Sequence, residues 1–260
     1  MNRMNRTELV KEQYRSTDNL NIRITLHEKY STNRQGFGNW ILEQYRFFPG
    51  CRILELGCGT GDLWESHTDL LPASSELILS DFSQGMVTEV QKKFAACPHI
   101  SCQKIDIANI PFPNCSFDWV IANMMLYHVP NLEGALAEAA RVLKPGGHFA
   151  AATYGEHGIA DYLEEHLHAY GFSQKVNNTF TLQNGNALLS RRFRTVERCV
   201  YPDALEVTET KDLVDYILSM TSMTNLSLDR AALFAYFEAQ KNECGVIRIP
   251  EEYGMFLCTL

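Results

Sequence analysis

The run Arg52-Ile53-Leu54-Glu55-Leu56-Gly57-Cys58-Gly59-Thr60-Gly61-Asp62-Leu63 constrains this chain more than any other segment. A short apolar stretch ends in an acid, breaks into glycines at 57, 59 and 61, and continues into helix-compatible sequence. That is the pattern of a strand feeding a tight turn that opens a helix, the nucleotide-binding corner of a doubly wound α/β fold. Glycine serves such a turn by reaching backbone angles closed to other residues and by letting a ligand approach the main chain. A dinucleotide fingerprint spaces its glycines G-x-G-x-x-G, but position 62 is Asp, so the third glycine comes one residue early. No Lys-Ser/Thr pair follows, which excludes a phosphate-cradling P-loop.

The segments that follow repeat one theme. Glu76-Leu77-Ile78-Leu79-Ser80-Asp81 reads as a second apolar strand closed by an acid, and Ile100-Ser101-Cys102-Gln103-Lys104-Ile105-Asp106 as a third. In dinucleotide folds an acid ~20 residues after the loop binds the ribose, because a carboxylate accepts two hydrogen bonds from a vicinal diol. Adenosine offers the same diol, so Asp81 is the ribose candidate. A fourth strand, Phe117 to Asn123, leads into Met124-Met125-Leu126-Tyr127-His128-Val129-Pro130. A helix, the turn Leu143-Lys144-Pro145-Gly146-Gly147 and a fifth strand, Phe149 to Tyr154, complete the series.

The E-x-G-x-G-x-G loop, the order D-W-V-I-A-N-x-x-L-Y-H-V-P and the later R-V-L-K-P-G-G together resemble class I S-adenosylmethionine-dependent methyltransferases. The likeness is to the group that contains the ubiquinone and menaquinone C-methyltransferases, and it runs from Tyr30 to Tyr154. The resemblance implies a mostly parallel seven-stranded α/β sheet whose last strand is antiparallel, with S-adenosylmethionine as cofactor. It further implies that Asp106 accepts from the adenine amino group, that Ile107 backs the ring, and that Glu55 holds the glycine loop or the methionine ammonium. Related enzymes carry a Tyr-Asp pair in an N-terminal lid; Tyr30 matches, while Ser31 stands where the acid would be. The cofactor-binding candidates are Tyr30, Glu55, Gly57, Cys58, Gly59, Gly61, Asp81, Phe82, Met86, Asp106, Ile107 and Asn123.

A chain of 260 residues can bury roughly 70–75% of its unfolded surface and requires no disulfide staple. Its net charge of −8 disfavours holding a polyanion by general field, and the one basic cluster is Arg191-Arg192-Phe193-Arg194. No nucleic acid is expected as partner. The first residues have no apolar core of a signal peptide, and no run of ~18 apolar residues occurs, so a cytoplasmic protein without a membrane segment is expected. Eight cysteines are scattered without a C-x-x-C pair, which reads as reduced thiols rather than a zinc site.

Four segments organise the chain: a helical lid over 1–48, a Rossmann-like core over 49–156, a helical cap insertion with the sixth strand over 157–245, and one or two terminal strands over 246–260. The lid has Tyr14, Leu20, Ile22, Ile24, Leu26, Trp40, Ile41 and Tyr45 as apolar anchors. In the core the period alternates between short apolar runs and helical spacing, the mark of βαβ units. Ser83 and Asn131 are the expected N-caps of two of its helices. Phe193–Tyr201 is the expected sixth strand; Val246–Ile249 and Met255–Leu260 are the last two, joined by a turn at Glu251-Glu252-Tyr253-Gly254.

Methyl transfer from a sulfonium is an in-line displacement, so a protein mainly aligns a nucleophile, excludes water and, where needed, removes a proton. Open α/β sheets hold ligands beyond the carboxyl ends of their strands. There stand Asn123, Met124, Tyr127, His128, Tyr154, Glu156 and His157. His128 is the general-base candidate, since imidazole titrates near neutrality unaided; a packing role in the turn is its alternative. Tyr30 is the second catalytic candidate, as an orienting lid residue. No Asp/Asn-Pro-Pro-Tyr/Phe follows the fourth strand, where enzymes methylating exocyclic amines carry it. The expectation is a methyltransferase acting on a small metabolite; the alternatives are an RNA or protein methyltransferase and a cofactor-binding protein without turnover.

Overall fold

The computed structural model describes residues 17–173, 177–220 and 226–260, with side chains from residue 22 onward. Tyr14 and the side chain of Leu20 lie outside the described residues. In chain order the elements are α1 (Thr17–Tyr30), α2 (Phe37–Gln44), β1 (Arg52–Leu56), α3 (Asp62–Glu65), β2 (Glu76–Asp81), α4 (Gln84–Lys93), β3 (Ile100–Lys104) and β4 (Phe117–Ile121). They continue with α5 (Leu132–Val142), β5 (Leu143–Tyr154), α6 (Ile159–Leu167), α7 (Gly185–Leu189), β6 (Thr195–Val207), α8 (Thr210–Ser219), α9 (Arg230–Glu238) and β7 (Ile247–Thr259). The seven strands form one sheet in the order β3-β2-β1-β4-β5-β7-β6. β1 through β5 pair in parallel and β7 runs antiparallel to β5, as the resemblance implies.

The chain folds into two compact units, one of residues 35–156, 177–201 and 252–260, the other of residues 1–34, 157–176 and 202–251. In the first, side-chain alternation along each strand builds two separate cores. Leu54, Leu56, Ile78, Val120, Phe149 and Ala151 face α5 and the segment around Phe180, Leu182 and Leu189. Ile53, Leu77, Leu79, Trp119, Ile121, Ala150 and Ala152 face α2, Trp64 and the Val90–Phe94 side of α4. Both faces are covered, which is why β1, β2 and β4 read as continuous apolar runs. The second unit has its own core, where Leu26 and Tyr30 of α1 meet Leu163, Leu205, Leu213, Ile217, Leu233 and Phe237. Ile24, an expected anchor of α1, is 44% exposed instead.

Several local expectations need correction. The Asn131 side chain caps α5 by accepting from the Gly134 N–H at 3.1 Å, but Ser83 makes no side-chain cap on α4. The Pro145-Gly146-Gly147 turn lies inside β5, where the β4–β5 register shifts between Phe117 and Trp119. The expected hairpin at Glu251–Gly254 is absent, because β7 is one strand from Ile247 to Thr259. Gly254 has a different reason to be glycine. A Cβ there would lie 2.3 Å from the Cys199 carbonyl oxygen, so the residue permits close approach of the neighbouring backbone. Gly254→Ala should therefore cost about 1–3 kcal/mol, the range for overpacking a closed site. Urea denaturation of the two proteins measures it, and an unchanged midpoint would remove the steric account.

Candidate functional site

Glu55 is the next-to-last residue of β1, in register with Leu79 of β2 and Ile121 of β4. Alternation turns it toward α2 and Trp64, into an apolar core, and it is 3% exposed. The Trp64 indole N–H donates to its Oε2 at 2.5 Å. Burial pushes the carboxyl up from 4.5 to about 7, and the Trp64 hydrogen bond opposes part of that rise. An acid kept this dry, two residues before the glycine loop, is suited to meeting a cation.

The three loop glycines all have positive φ, at 73°, 57° and 74° for Gly57, Gly59 and Gly61. Their surroundings differ. A Cβ on Gly57 would lie 2.9 Å from the Met125 side chain, and one on Gly61 would lie 2.9 Å from the Phe94 ring. A Cβ on Gly59 would meet nothing within 4 Å. The outer glycines are thus required by packing, while the middle one borders open space, as a ligand cradle needs. Cys58 donates its N–H to the Ser80 carbonyl at 2.9 Å. Burial first, and then the Glu55 and Asp81 carboxylates, push its thiol far up, so it stays protonated and unreactive.

Asp81 closes β2 and organises the loop. Its Oδ2 accepts from the Gly59 N–H at 3.1 Å and its Oδ1 from the Ser83 N–H at 2.7 Å. A carboxylate has about four lone-pair sites, so both oxygens keep capacity for a diol. Beside it, Phe82 is 63% exposed with the Lys104 ammonium 5.6 Å from its ring centre, and Met86 is partly exposed one turn into α4. Asp106 lies just beyond the end of β3, where its Oδ1 accepts from the Ala108 N–H at 2.9 Å; Ile107 is buried.

At the end of β4 the Asn123 side chain is committed twice. Its Nδ2 donates to the Tyr45 phenol oxygen at 2.7 Å and its Oδ1 accepts from the Ala152 N–H at 3.1 Å. Met124 follows with φ 52°. His128 ends a short 3₁₀ turn, exposed, its ring 4.5 Å from that of Tyr127. Tyr127 also faces Tyr154 at 4.6 Å. The Tyr154 hydroxyl donates to the Asn177 carbonyl at 3.0 Å, while Asn177 Nδ2 donates to the Tyr127 carbonyl at 2.6 Å. Glu156 accepts from the Thr181 hydroxyl at 2.8 Å, and His157 lies exposed with Nδ1 3.3 Å from Asp161 Oδ2.

Tyr30 belongs to the other unit and is 5% exposed. Its hydroxyl donates to Asp212 Oδ2 at 2.7 Å, an oxygen that the Lys29 ammonium also reaches at 2.7 Å. Ser31 donates to Asp203 Oδ2 at 2.7 Å, and Thr32 and the Asn33 N–H donate to its Oδ1 at 3.1 and 3.0 Å. With Ser31 where related lids have an acid, Asp203 and Asp212 supply carboxylates from elsewhere in the chain.

Direct hydrogen bonds or packing therefore join Glu55, the glycine loop and Asp81, with Asp106 and Ile107 past the next strand. Trp64, Tyr45 and Asn177 are polar participants that the sequence reading did not single out. Trp64 stands on the core side of the helix just after the loop, a position that could have marked it; Tyr45 reads only as an apolar anchor, and Asn177 has no local signal.

Residues 54–151 match a family model described as a methyltransferase domain. The chain is similar to the demethylmenaquinone methyltransferase of Symbiobacterium thermophilum, with 36% identity over 42% of this chain and 45% of that protein. It is similar also to the ubiquinone/menaquinone biosynthesis C-methyltransferase of Coxiella burnetii, with 29% identity over 52% of this chain and 54% of that protein. The chain spans about half the length of the curated relatives it matches. Among solved structures, the YcgJ protein of Bacillus subtilis aligns with a TM-score of 0.56 at 16% identity, over 85% of this chain and 97% of that one, which extends the likeness of fold beyond the residues that the family model matches. Among the described residues no helix is long and apolar enough to cross a membrane.

The raised Glu55 carboxyl has a consequence for the stability of the unit that holds it. Its folded value of about 7 stands above the ordinary 4.5, so its contribution is fully present below about 4.5 and is lost as pH rises through 7. Glu55→Gln, which keeps an acceptor for Trp64, removes that loss. The variant should gain roughly 1–3 kcal/mol over the parent at pH 8 relative to pH 4.5. Denaturation curves at the two pH values check it; a gap independent of pH would mean that Glu55 ionises as readily in the folded core as in the unfolded chain.

Proposed function

We propose that this chain transfers a methyl group from S-adenosylmethionine to a small-molecule acceptor. The observation that carries the reading is the glycine loop: an open main chain at Gly59, a dry acid at Glu55 on one side and Asp81 on the other. Those groups fit the cofactor's chemistry. Glu55 would take the ammonium of its amino-acid end, Asp81 the ribose hydroxyls and Asp106 the adenine amine, with Phe82, Met86 and Ile107 as apolar flanks. Gly57, Cys58, Gly59 and Gly61 would supply close-approaching backbone. Asn123 would contribute through the turn it fixes, since both ends of its side-chain amide already have partners. The cofactor brings a methyl group activated on a sulfonium.

On the acceptor side, Tyr127, His128 and Tyr154 offer aromatic surface past β4 and β5. Such walls suit a planar ring, in keeping with relatives named for menaquinone and ubiquinone biosynthesis. His128 would remove a proton from the acceptor as its nucleophilic atom is methylated. The orienting role of Tyr30 rests on its motif position. All eight cysteines are unpaired, as a reducing compartment such as the cytoplasm would leave them. Release of S-adenosylhomocysteine on screening metabolite pools tests the reading; tight cofactor binding with no turnover on any pool would favour a binding protein instead.

Two variants examine the assignments separately. Asp81→Ala should weaken S-adenosylhomocysteine binding by about 1.5–3 kcal/mol, the range for hydrogen bonds to a charged group. Calorimetric titration reads this, and undiminished affinity would end the ribose assignment. His128→Ala should lower turnover by ~10²–10⁴-fold with cofactor affinity nearly unchanged, because general-base help contributes on that scale. A merely structural imidazole would instead lower the melting temperature, affinity and rate together, so measuring all three separates the roles.

A further inference from the structure

Tyr45 ends α2, and its backbone N–H closes that helix on the Leu42 carbonyl at 3.2 Å. Its ring is 6% exposed and stands edge-on to Trp119 at 5.6 Å and beside Phe47 at 5.1 Å. A phenylalanine would fill this apolar site as well. The hydroxyl is there for another purpose: it accepts from Asn123 Nδ2 at 2.7 Å, while Asn123 Oδ1 accepts from the Ala152 N–H. The next residue, Met124, holds a left-handed backbone with its N–H on the Ala152 carbonyl at 2.8 Å. Met125 then places its side chain where a Gly57 Cβ would lie. A continuous set of contacts therefore runs from the Tyr45 hydroxyl through the turn after β4 to the first glycine of the loop. The Glu55 carboxylate is close enough to act on the phenol, adding to burial in raising it.

We propose that Tyr45 is a positioning residue for cofactor capture, whose hydroxyl locks the Asn123–Met125 turn against the glycine loop. The proposal rests on the methyltransferase reading. Losing the hydroxyl should then loosen the turn on which the first glycine of the loop packs.

The test is calorimetric titration of S-adenosylhomocysteine into the parent, Tyr45→Phe, Asn123→Ala and the double variant, with melting temperatures measured alongside. Tyr45→Phe should bind about three- to ten-fold more weakly, the scale of one net hydrogen bond. The double variant should be no weaker than the weaker single variant, since both act through one contact. A fall in melting temperature with affinity unmoved would mean a merely structural hydrogen bond and overturn the proposal, as would fully additive losses. A parent protein with no affinity for the probe would overturn the methyltransferase reading itself, and this proposal with it; a binding parent with an unaffected Tyr45→Phe overturns this proposal alone.

Discussion

The carboxylate of Asp81 is the contact on which the cofactor side of this structure depends. A strand that must turn sharply into a helix exposes backbone N–H groups that need acceptors. One acid at the end of the adjacent strand meets two of them, from Gly59 in the loop and from Ser83 at the start of α4. The same oxygens thereby fix the turn after β1 and the turn after β2 relative to each other. This also explains why Ser83 sits at the head of α4 without capping it: its N–H is held by the residue two before it, and the helix start is set by Asp81. The parallel register of β1 on β2, which sets Glu55 opposite Leu79 and Leu56 opposite Ser80, brings that acid to the right level.

Glu55 illustrates the opposite balance. A carboxyl surrounded by Ile53, Trp64, Leu79 and Tyr45 weakens the folded state whenever it is ionised, and one hydrogen bond from an indole does not offset the lost hydration. A packed apolar residue at this position would stabilise the unit. If Glu55 meets a cationic ligand group, as proposed above, the same burial that weakens the fold would strengthen that attraction.

Where structure is set locally, the sequence could be read directly. The loop glycines, the acid closing each strand and the alternation of apolar runs are short-range patterns, and the order of the sheet follows from them once helices cover both faces. Features set by distant segments were illegible. Gly254 looks like a turn residue in Glu251-Glu252-Tyr253-Gly254, because the approach of Cys199 that demands a glycine belongs to another strand. The break at Pro145-Gly146-Gly147 looks like the end of one element, yet the register with β4 absorbs it inside β5. Tyr45 looks apolar because only the position of Asn123 gives its hydroxyl a partner. The carboxylates that Ser31 and Tyr30 meet, Asp203 and Asp212, lie far along the chain and leave no local signal.

The same division separates the groups proposed to bind cofactor from those proposed to face an acceptor. Glu55, the glycine loop, Asp81 and Asp106 come from consecutive βα units, so their spacing is constrained by the sheet. The surroundings of Tyr127 and Tyr154 are assembled differently. Asn177, beyond the whole of α6, bonds to the carbonyl of one and the hydroxyl of the other, and Thr181 bonds to Glu156. A segment with no fixed spacing to the strands can change length and composition without disturbing the loop. The family match stops at residue 151, just short of Tyr154, where this second kind of construction begins. In the proposed methyl transfer, acceptor choice would then rest on this long-range construction, and cofactor capture on the local one.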